Sequence, residues 1–324
     1  MKILVTGGAG YIGSHFVRAL VQAKHGVVVF DDLSAGHRDA VPDHVPFVHA
    51  DVRDARLVRE ALRDHHVEAI VHFASRIQVG ESVRDPRLYY RDNLAAGIGL
   101  LESALDHHVR MFVLSSTAAV YGDPQYVPID EAHRTVPVNP YGATKLALEG
   151  MLASYAPAYG LRYAALRYFN ASGADGGLSE RHDPETHLIP LVLDAAMGAR
   201  AHLTVFGDDY ATADGTCVRD YIHVADLADA HLAALSYLEG GGESGAFNLG
   251  TGNGYSVREV IAAVERVTGR KVPIVMGARR DGDPPSLVAA PDKAKRVLGW
   301  TAKRSGLEEI VRDAFAARYG SRDT

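Results

Sequence analysis

One cysteine, Cys217, stands among 324 residues, so no intrachain disulfide can form. That suits a chain kept in a reducing cytosol. No residue pattern around Cys217 supplies an activating partner, which speaks against a nucleophilic thiol. Positive charge is also short: 34 Lys and Arg stand against 40 Asp and Glu, a formal net charge of -6. Such a chain has no basic field to hold nucleic acid or an anionic membrane surface. It lacks any run approaching the ~18 apolar residues of a membrane helix. Its opening, MKILVTGGAG, reads as a strand entering a turn and not as an apolar leader. Internal repeats and low-complexity tracts are absent. The expectation is a cytoplasmic protein with neither nucleic acid nor membrane as partner.

What is present is ordinary globular material, 47% hydrophobic and 23% charged, enough for one large α/β domain or two that share a core. Short apolar runs alternate with helical periods through the first half. Lys2–Gly7, Gly26–Asp32, Val45–Asp51, Val67–Ser75, Arg110–Gly122 and Leu161–Asn170 read as strands. The stretches between them carry 3.6-residue periodicity. That alternation predicts a doubly wound parallel sheet with right-handed crossovers. After Asn170 the texture changes to ASGADGGLSERHDPETH, a loop by composition. The division expected is a nucleotide-binding domain over residues 1–172 and a smaller mixed α/β substrate lobe over 173–324. Segments near 217–252 are expected to return to the first domain.

TGGAGYIG places Gly7, Gly10 and Gly13 between a predicted strand and a predicted helix. Alone a glycine triplet is a weak signal, but this context predicts a dinucleotide's pyrophosphate at the helix N-terminus. Asp31, 18 residues after Gly13, ends the second strand beside Asp32. A carboxylate there accepts from a ribose 2′-OH and repels a 2′-phosphate, so NAD is expected over NADP. Asp51 ends the third strand within reach of an adenine edge. Phe73, Ala74 and Ser75 end the fourth, where ligands bind beyond the carboxyl ends of open parallel sheets.

In NPYGATKLALEG, Tyr141 and Lys145 lie four apart and share a helix face. By themselves they are an ordinary surface pair. Beside a bound nicotinamide they form an acid/base device. A phenol of pKa about 10 is a poor base near neutrality, and a nearby ammonium favours its phenolate. The strand-five hydroxyls Ser115, Ser116 and Thr117 end at the same sheet edge, and Thr117 or Ser116 is expected to orient a substrate hydroxyl while Tyr141 takes its proton.

TGGAGYIGSH, HFASRIQVGESV, SSTAAVYGD, NPYGATKL, LRYFN and GTCVRDYIHVADLADAH occur in this order. Together they resemble the extended short-chain dehydrogenase/reductases, and within them the NAD-dependent epimerase/dehydratase family members that act at C4 of UDP-sugars. The resemblance runs from Met1 to about Trp300. YxxxK marks only the superfamily, while VRDYIHVxDLA together with RRDGD is more specific. The resemblance implies a tightly held NAD, reduced and reoxidised in each turnover as UDP-galactose and UDP-glucose interconvert through a 4-keto sugar, in a homodimer. It assigns Lys145 to the nicotinamide ribose, and Tyr11, Ile12, Val52, Asn93 and Tyr168 to the cofactor with those named above. It assigns Asn170, His187, Leu188, Val205, Phe206, Arg219, Tyr221, Arg280, Asp283 and Leu287 to the substrate, with both arginines on the diphosphate.

The chain departs from the family pattern at three positions. Ile77 stands where many members carry a cofactor-contacting lysine, with Arg76 beside it as a substitute. His187 stands where some place an asparagine. Leu287 stands at a substrate-size gate beside the sugar C2 group, with room expected for weak UDP-N-acetylhexosamine turnover. The dimer is expected to pair the stripes Leu94, Ile98, Leu101, Leu105 and Leu148, Met151, Leu152, Tyr155.

Sixteen histidines raise the question of a metal. His65–His66 and His107–His108 diverge near predicted helix C-termini, where imidazole meets the dipole favourably, and His182 and His187 read as loop residues. No metal is expected. A 4,6-dehydratase would need an acid and a base where this chain has Ala118 and Ala119. A sugar dehydrogenase exchanging free NAD, or a non-catalytic NAD-binding sensor, are the remaining alternatives.

Overall fold

The computed structural model describes residues 1–280 and 283–320. Its centre is a parallel sheet. In chain order its first six strands are β1 (Lys2–Thr6), β2 (Gly26–Asp31), β3 (Phe47–His49), β4 (Ala69–His72), β5 (Met111–Thr117) and β6 (Arg162–Tyr168). A seventh, Gly245–Leu249, pairs in parallel with β6 from Ala164 to Tyr168. The spatial order is Gly245–Leu249, β6, β5, β4, β1, β2, β3. Order reverses between β1 and β4, so a crevice opens beyond their carboxyl ends.

Both faces of the sheet are buried, which is why its strands are almost wholly apolar. Ile3, Val5, Val29, Val71 and Val113 pack under the helices Tyr11–Gln22 and Val224–Glu239. Leu4, Val28, Phe30, Ile70 and Phe112 pack on the other side with Leu100, Leu148 and Leu152, from the helices Ala96–Asp106 and Pro140–Tyr159. A separate core of Ile189, Val192, Leu193, Val205, Val260, Val264 and Ile310 joins the helices Leu188–Ala196, Val257–Thr268 and Leu307–Tyr319. No helix among the described residues is long and apolar enough to cross a membrane.

The strands end earlier than the hydropathy of the sequence suggests. β5 stops at Thr117, whose Oγ1 accepts from Ala119 N–H at 3.1 Å and starts a 3-10 turn over Ala118–Val120. A hydroxyl that can satisfy the next backbone donor competes with the ladder. The helix Pro140–Tyr159 has a legible start: Asn139 accepts from Gly142 N–H at 2.9 Å, and Pro140 occupies the first turn. It stops at left-handed Gly160.

Candidate active site

Gly7 joins β1 to the first helix with φ +70°, and a Cβ there would stand 2.5 Å from the Ala74 nitrogen. Glycine is therefore required where the loops after β1 and β4 touch. Gly10 N-caps the helix Tyr11–Gln22 with no side-chain cap hydrogen bond, and Gly13 lies in its first turn. The first N–H groups of that helix face the crevice without a capping side chain, the arrangement that an anionic pyrophosphate satisfies. Asp31 is buried. Its carboxylate accepts from Ala9 N–H at 2.9 Å and Leu33 N–H at 2.8 Å, and burial raises its pKa. Asp31 thus braces the glycine loop from the end of β2. These residues fit an adenine dinucleotide: a close backbone approach, an uncapped helix terminus and a strand-end carboxylate.

Other expected cofactor residues fall into place differently. Asp32 is exposed and accepts from Ser34 N–H and Oγ, so it closes its own turn. Asp51 pairs with Arg53 at 2.5 Å, which holds its pKa low, and Val52 is buried in the core. Tyr11 donates its hydroxyl to Gly173 O at 2.6 Å, tying the glycine loop to the far side of the crevice, and Ile12 packs on the sheet core. The Asn93 amide is spent on the backbone of Arg76, accepting from its N–H at 2.8 Å and donating to its carbonyl at 3.0 Å. It positions the loop after β4. Arg76, next to Ile77, has its guanidinium held by Asp92 at 2.7 Å.

At the ends of β4 and β5 the reactive groups converge. The buried Lys145 donates to Ser115 O at 2.8 Å and Ser75 Oγ at 3.0 Å. Ser115 Oγ is hydrogen-bonded to the Tyr168 hydroxyl. The Phe73 ring lies 4.7 Å from that of His231. Gly142 explains how Tyr141 reaches Thr117: a Cβ there would stand 2.5 Å from Ala119 O, so the start of the helix rests on the turn after β5. Burial pushes Tyr141 up to about 12, while the Thr117 hydroxyl draws it down. Burial pushes Lys145 down to about 7, opposed by the charge of Glu149. Burial governs the Tyr141 shift, Lys145 is not among its causes, and the contacts of Lys145 are with Ser75 and Ser115.

Ser116 does not serve the site. Alternation along β5 turns it to the opposite face from Ser115 and Thr117, fully buried, where its hydroxyl donates to Glu149 Oε1 at 2.5 Å. Glu149 also takes two arms of Arg167, and Arg167 donates to the Tyr121 hydroxyl at 3.0 Å. Tyr121 in turn donates to Asn248 Oδ1 at 2.7 Å. This buried network, which a reading of the sequence did not pick out, stands one helical turn behind Lys145. A signal was present: Tyr141, Lys145 and Glu149 repeat at i, i+4 and i+8 on a face that is otherwise apolar.

On the opposing side, Asn170 and Tyr221 are paired across two short parallel strands, and Arg219 and Leu287 across two more. Arg219 is ion-paired to Asp283. Arg280 lies 4.2 Å over the Phe206 ring; Asp281 and Gly282 of the same RRDGD motif lie outside the described residues. Leu287 packs on Ala118, Val120, Tyr121 and Ile129, beside the turn that follows Thr117. Four other expected substrate residues have their side chains engaged elsewhere in the structure. Val205 is only 2% exposed, and with Tyr221 its side chain belongs to the lobe core. Leu188 packs on the same core. His187 is held between Glu180 at 2.7 Å and Glu185 at 2.9 Å; burial lowers its pKa, but hydrogen bonds to the two carboxylates and their charges push it up to about 10.

Fold and site together define a dinucleotide-binding α/β protein with a tyrosine–lysine pair beside the cofactor crevice. The chain belongs to the NAD dependent epimerase/dehydratase family, whose model matches residues 3–250. It is 50% identical over 317 residues to a UDP-glucose 4-epimerase of Halalkalibacterium halodurans, covering 97% of this chain and 95% of that protein. Among solved structures it is similar to the UDP-glucose 4-epimerase from Brucella ovis in complex with NAD, with a TM-score of 0.95, 50% identity and 98% of each chain covered. The UDP-Glc/GlcNAc 4-epimerase of Campylobacter jejuni is also similar, with a TM-score of 0.86, 41% identity and 98% of each chain covered.

Proposed function

We propose that the chain is an NAD-dependent 4-epimerase that interconverts UDP-galactose and UDP-glucose. The observation that carries this is the placement of Tyr141 against Thr117 at the carboxyl edge of the sheet, beside Lys145 anchored on Ser75 and Ser115. Asp31, the glycine loop, Phe73 and Tyr168 would hold NAD, with Lys145 nearest its nicotinamide ribose. NAD supplies the acceptor and donor of the C4 hydride and, when oxidised, a positive charge that favours the Tyr141 phenolate. Tyr141 takes the proton of the sugar 4-OH and later returns it. Thr117 orients that hydroxyl. Arg219 and Arg280 would meet the diphosphate, with Asp283 holding Arg219. Ala118 and Ala119 carry no transferable proton, which disfavours elimination across C5 and C6.

Leu287 supports a second activity. Lying beside the Thr117 turn, it is shorter than tyrosine, and this leaves partial room for a 2-acetamido group. We also infer a division near residue 172, a cytoplasmic setting consistent with the single buried Cys217, and a homodimer. The pairing face is narrower than the sequence stripes: Leu101, Leu148 and Leu152 are buried in the sheet core, while Ile98, Leu105, Met151 and Tyr155 keep partly exposed side chains. The test of the reaction is to incubate purified protein with UDP-galactose and no added NAD. UDP-glucose is the expected product. A 4-keto-6-deoxy sugar, or NADH free in solution, would contradict the reading.

A further inference from the structure

The loop between Asn170–Ser172 and the helix Leu188–Ala196 carries side chains that the reaction above does not use. Glu180, His182, Glu185 and His187 converge so that one ligand atom from each lies within 4.8 Å of all the others. His187 Nδ1 is 2.7 Å from Glu180 Oε1 and 2.9 Å from Glu185 Oε1, and His182 Nδ1 is 3.1 Å from Glu180 Oε1.

A protonated His187 accounts for part of this arrangement. It leaves two features unexplained. The Glu185 side chain is only 9% exposed, yet its Oε2 is buried with no hydrogen-bond partner. Glu180 is equally buried, so one imidazolium faces two carboxylate charges, which His182 on Glu180 and the N–H groups of Thr186 and His187 on Glu185 solvate without neutralising. Unpaired buried charge and an unsatisfied buried oxygen are both costly. A divalent cation ligated through Glu185 Oε2 would remove both costs.

We propose that Glu180, His182, Glu185 and His187 bind a divalent transition-metal ion, with zinc as the best match. Zinc takes imidazole nitrogen and carboxylate oxygen at ~2.0–2.2 Å in a tetrahedron, which sets its donor atoms roughly 3.3 Å apart. The three separations given above need only a small expansion to reach that spacing. A mixed imidazole and carboxylate set selects zinc and its transition-metal neighbours over the oxygen-loving calcium and magnesium. The ion would stand behind Tyr11, whose ring is 6.4 Å from that of His182 and whose hydroxyl holds Gly173. Arg181, within the same loop, grips Asp39 at 2.6 Å. The ion would therefore clamp this loop over the glycine turn. The proposal does not depend on which sugar the enzyme turns over.

The test uses the full-length protein carrying its NAD. It is treated with a chelator, dialysed against zinc chloride and then against metal-free buffer, and assayed for zinc content and melting temperature. About one retained zinc per chain and a zinc-dependent rise in melting temperature are expected. Glu185→Gln should lose both while circular dichroism and bound NAD stay at parent levels. Should Glu185→Gln fail to fold, His182→Gln removes a ligand from a more exposed position and should reduce zinc retention at least tenfold. The proposal is overturned if the parent retains no more zinc than these variants, or if zinc raises the melting temperature of parent and variant alike. A cluster that holds only a proton gives the first of these results.

Discussion

On the cofactor side, β1, β2, β4 and β5 each deliver their working groups within a few residues of a strand end: Gly7, Asp31, Ser75 and Thr117. On the facing side the groups meet across long stretches of chain. Arg219 pairs with Asp283 64 residues away, and Leu287 lies against the turn at Ala118. The first kind of site is fixed by the sheet, because each strand is buried on both faces and its end cannot shift without disturbing the core. The second kind rests on short strand pairs and ion pairs. Chemistry and cofactor should therefore depend on the first region almost absolutely, and sugar selectivity on the second by degrees.

The largest expected effect lies on the cofactor side. Tyr141→Phe should keep fold and bound NAD but lower turnover by roughly two to four orders of magnitude, the usual weight of a general acid/base. Near-parent turnover would remove Tyr141 from the chemistry. Next comes the support behind Lys145. Glu149→Ala leaves Arg167 buried without its carboxylate, and should cost about 3–5 kcal/mol in denaturant unfolding. A loss within about 0.5 kcal/mol would show that the network is not needed to hold the helix. Asp31→Ala removes a buried charged acceptor. Hydrogen bonds to such a group are worth about 1.5–3 kcal/mol, so NAD should bind at least about tenfold more weakly and the advantage over NADP should shrink. Unchanged binding of both would mean that another residue reads the ribose.

The smallest effects belong to the sugar side. A contact of one or two methylenes is worth about 1–3 kcal/mol, a factor of about 10 to 200. Leu287→Tyr should abolish turnover of UDP-N-acetylhexosamines and spare that of UDP-galactose, whereas Leu287→Ser should raise the former. If both variants kept the parent's ratio of activities, Leu287 would not be the gate, and the contrast between the two regions would fail where it matters for specificity.

The same contrast decides what could be read from the sequence. The six strands β1–β6 were legible because each is a short apolar run between turn residues, and the Tyr141–Lys145 pair because helix period fixes which residues share a face. Ser116 could be sorted from Ser115 and Thr117 only once the strand ends were known. Gly245–Leu249 was not picked out as a strand. It is short, carries a polar Asn248 and follows a change in composition, so no local pattern announced its place beside β6. Asn93 was legible as important but not in what it holds, since its partner is a backbone 17 residues earlier. The convergence of Glu180, His182, Glu185 and His187 had no periodicity behind it, because a loop has none.

The most direct measurement follows a label through a single turnover. UDP-galactose deuterated at C4 is incubated in ordinary water with protein carrying only its own NAD, and the UDP-glucose formed is examined by mass spectrometry and NMR. Retention of deuterium at C4 is predicted, because the hydride that leaves the sugar returns to it while Tyr141 exchanges only the hydroxyl proton. Product UDP-glucose with hydrogen from water at C4 would contradict the account.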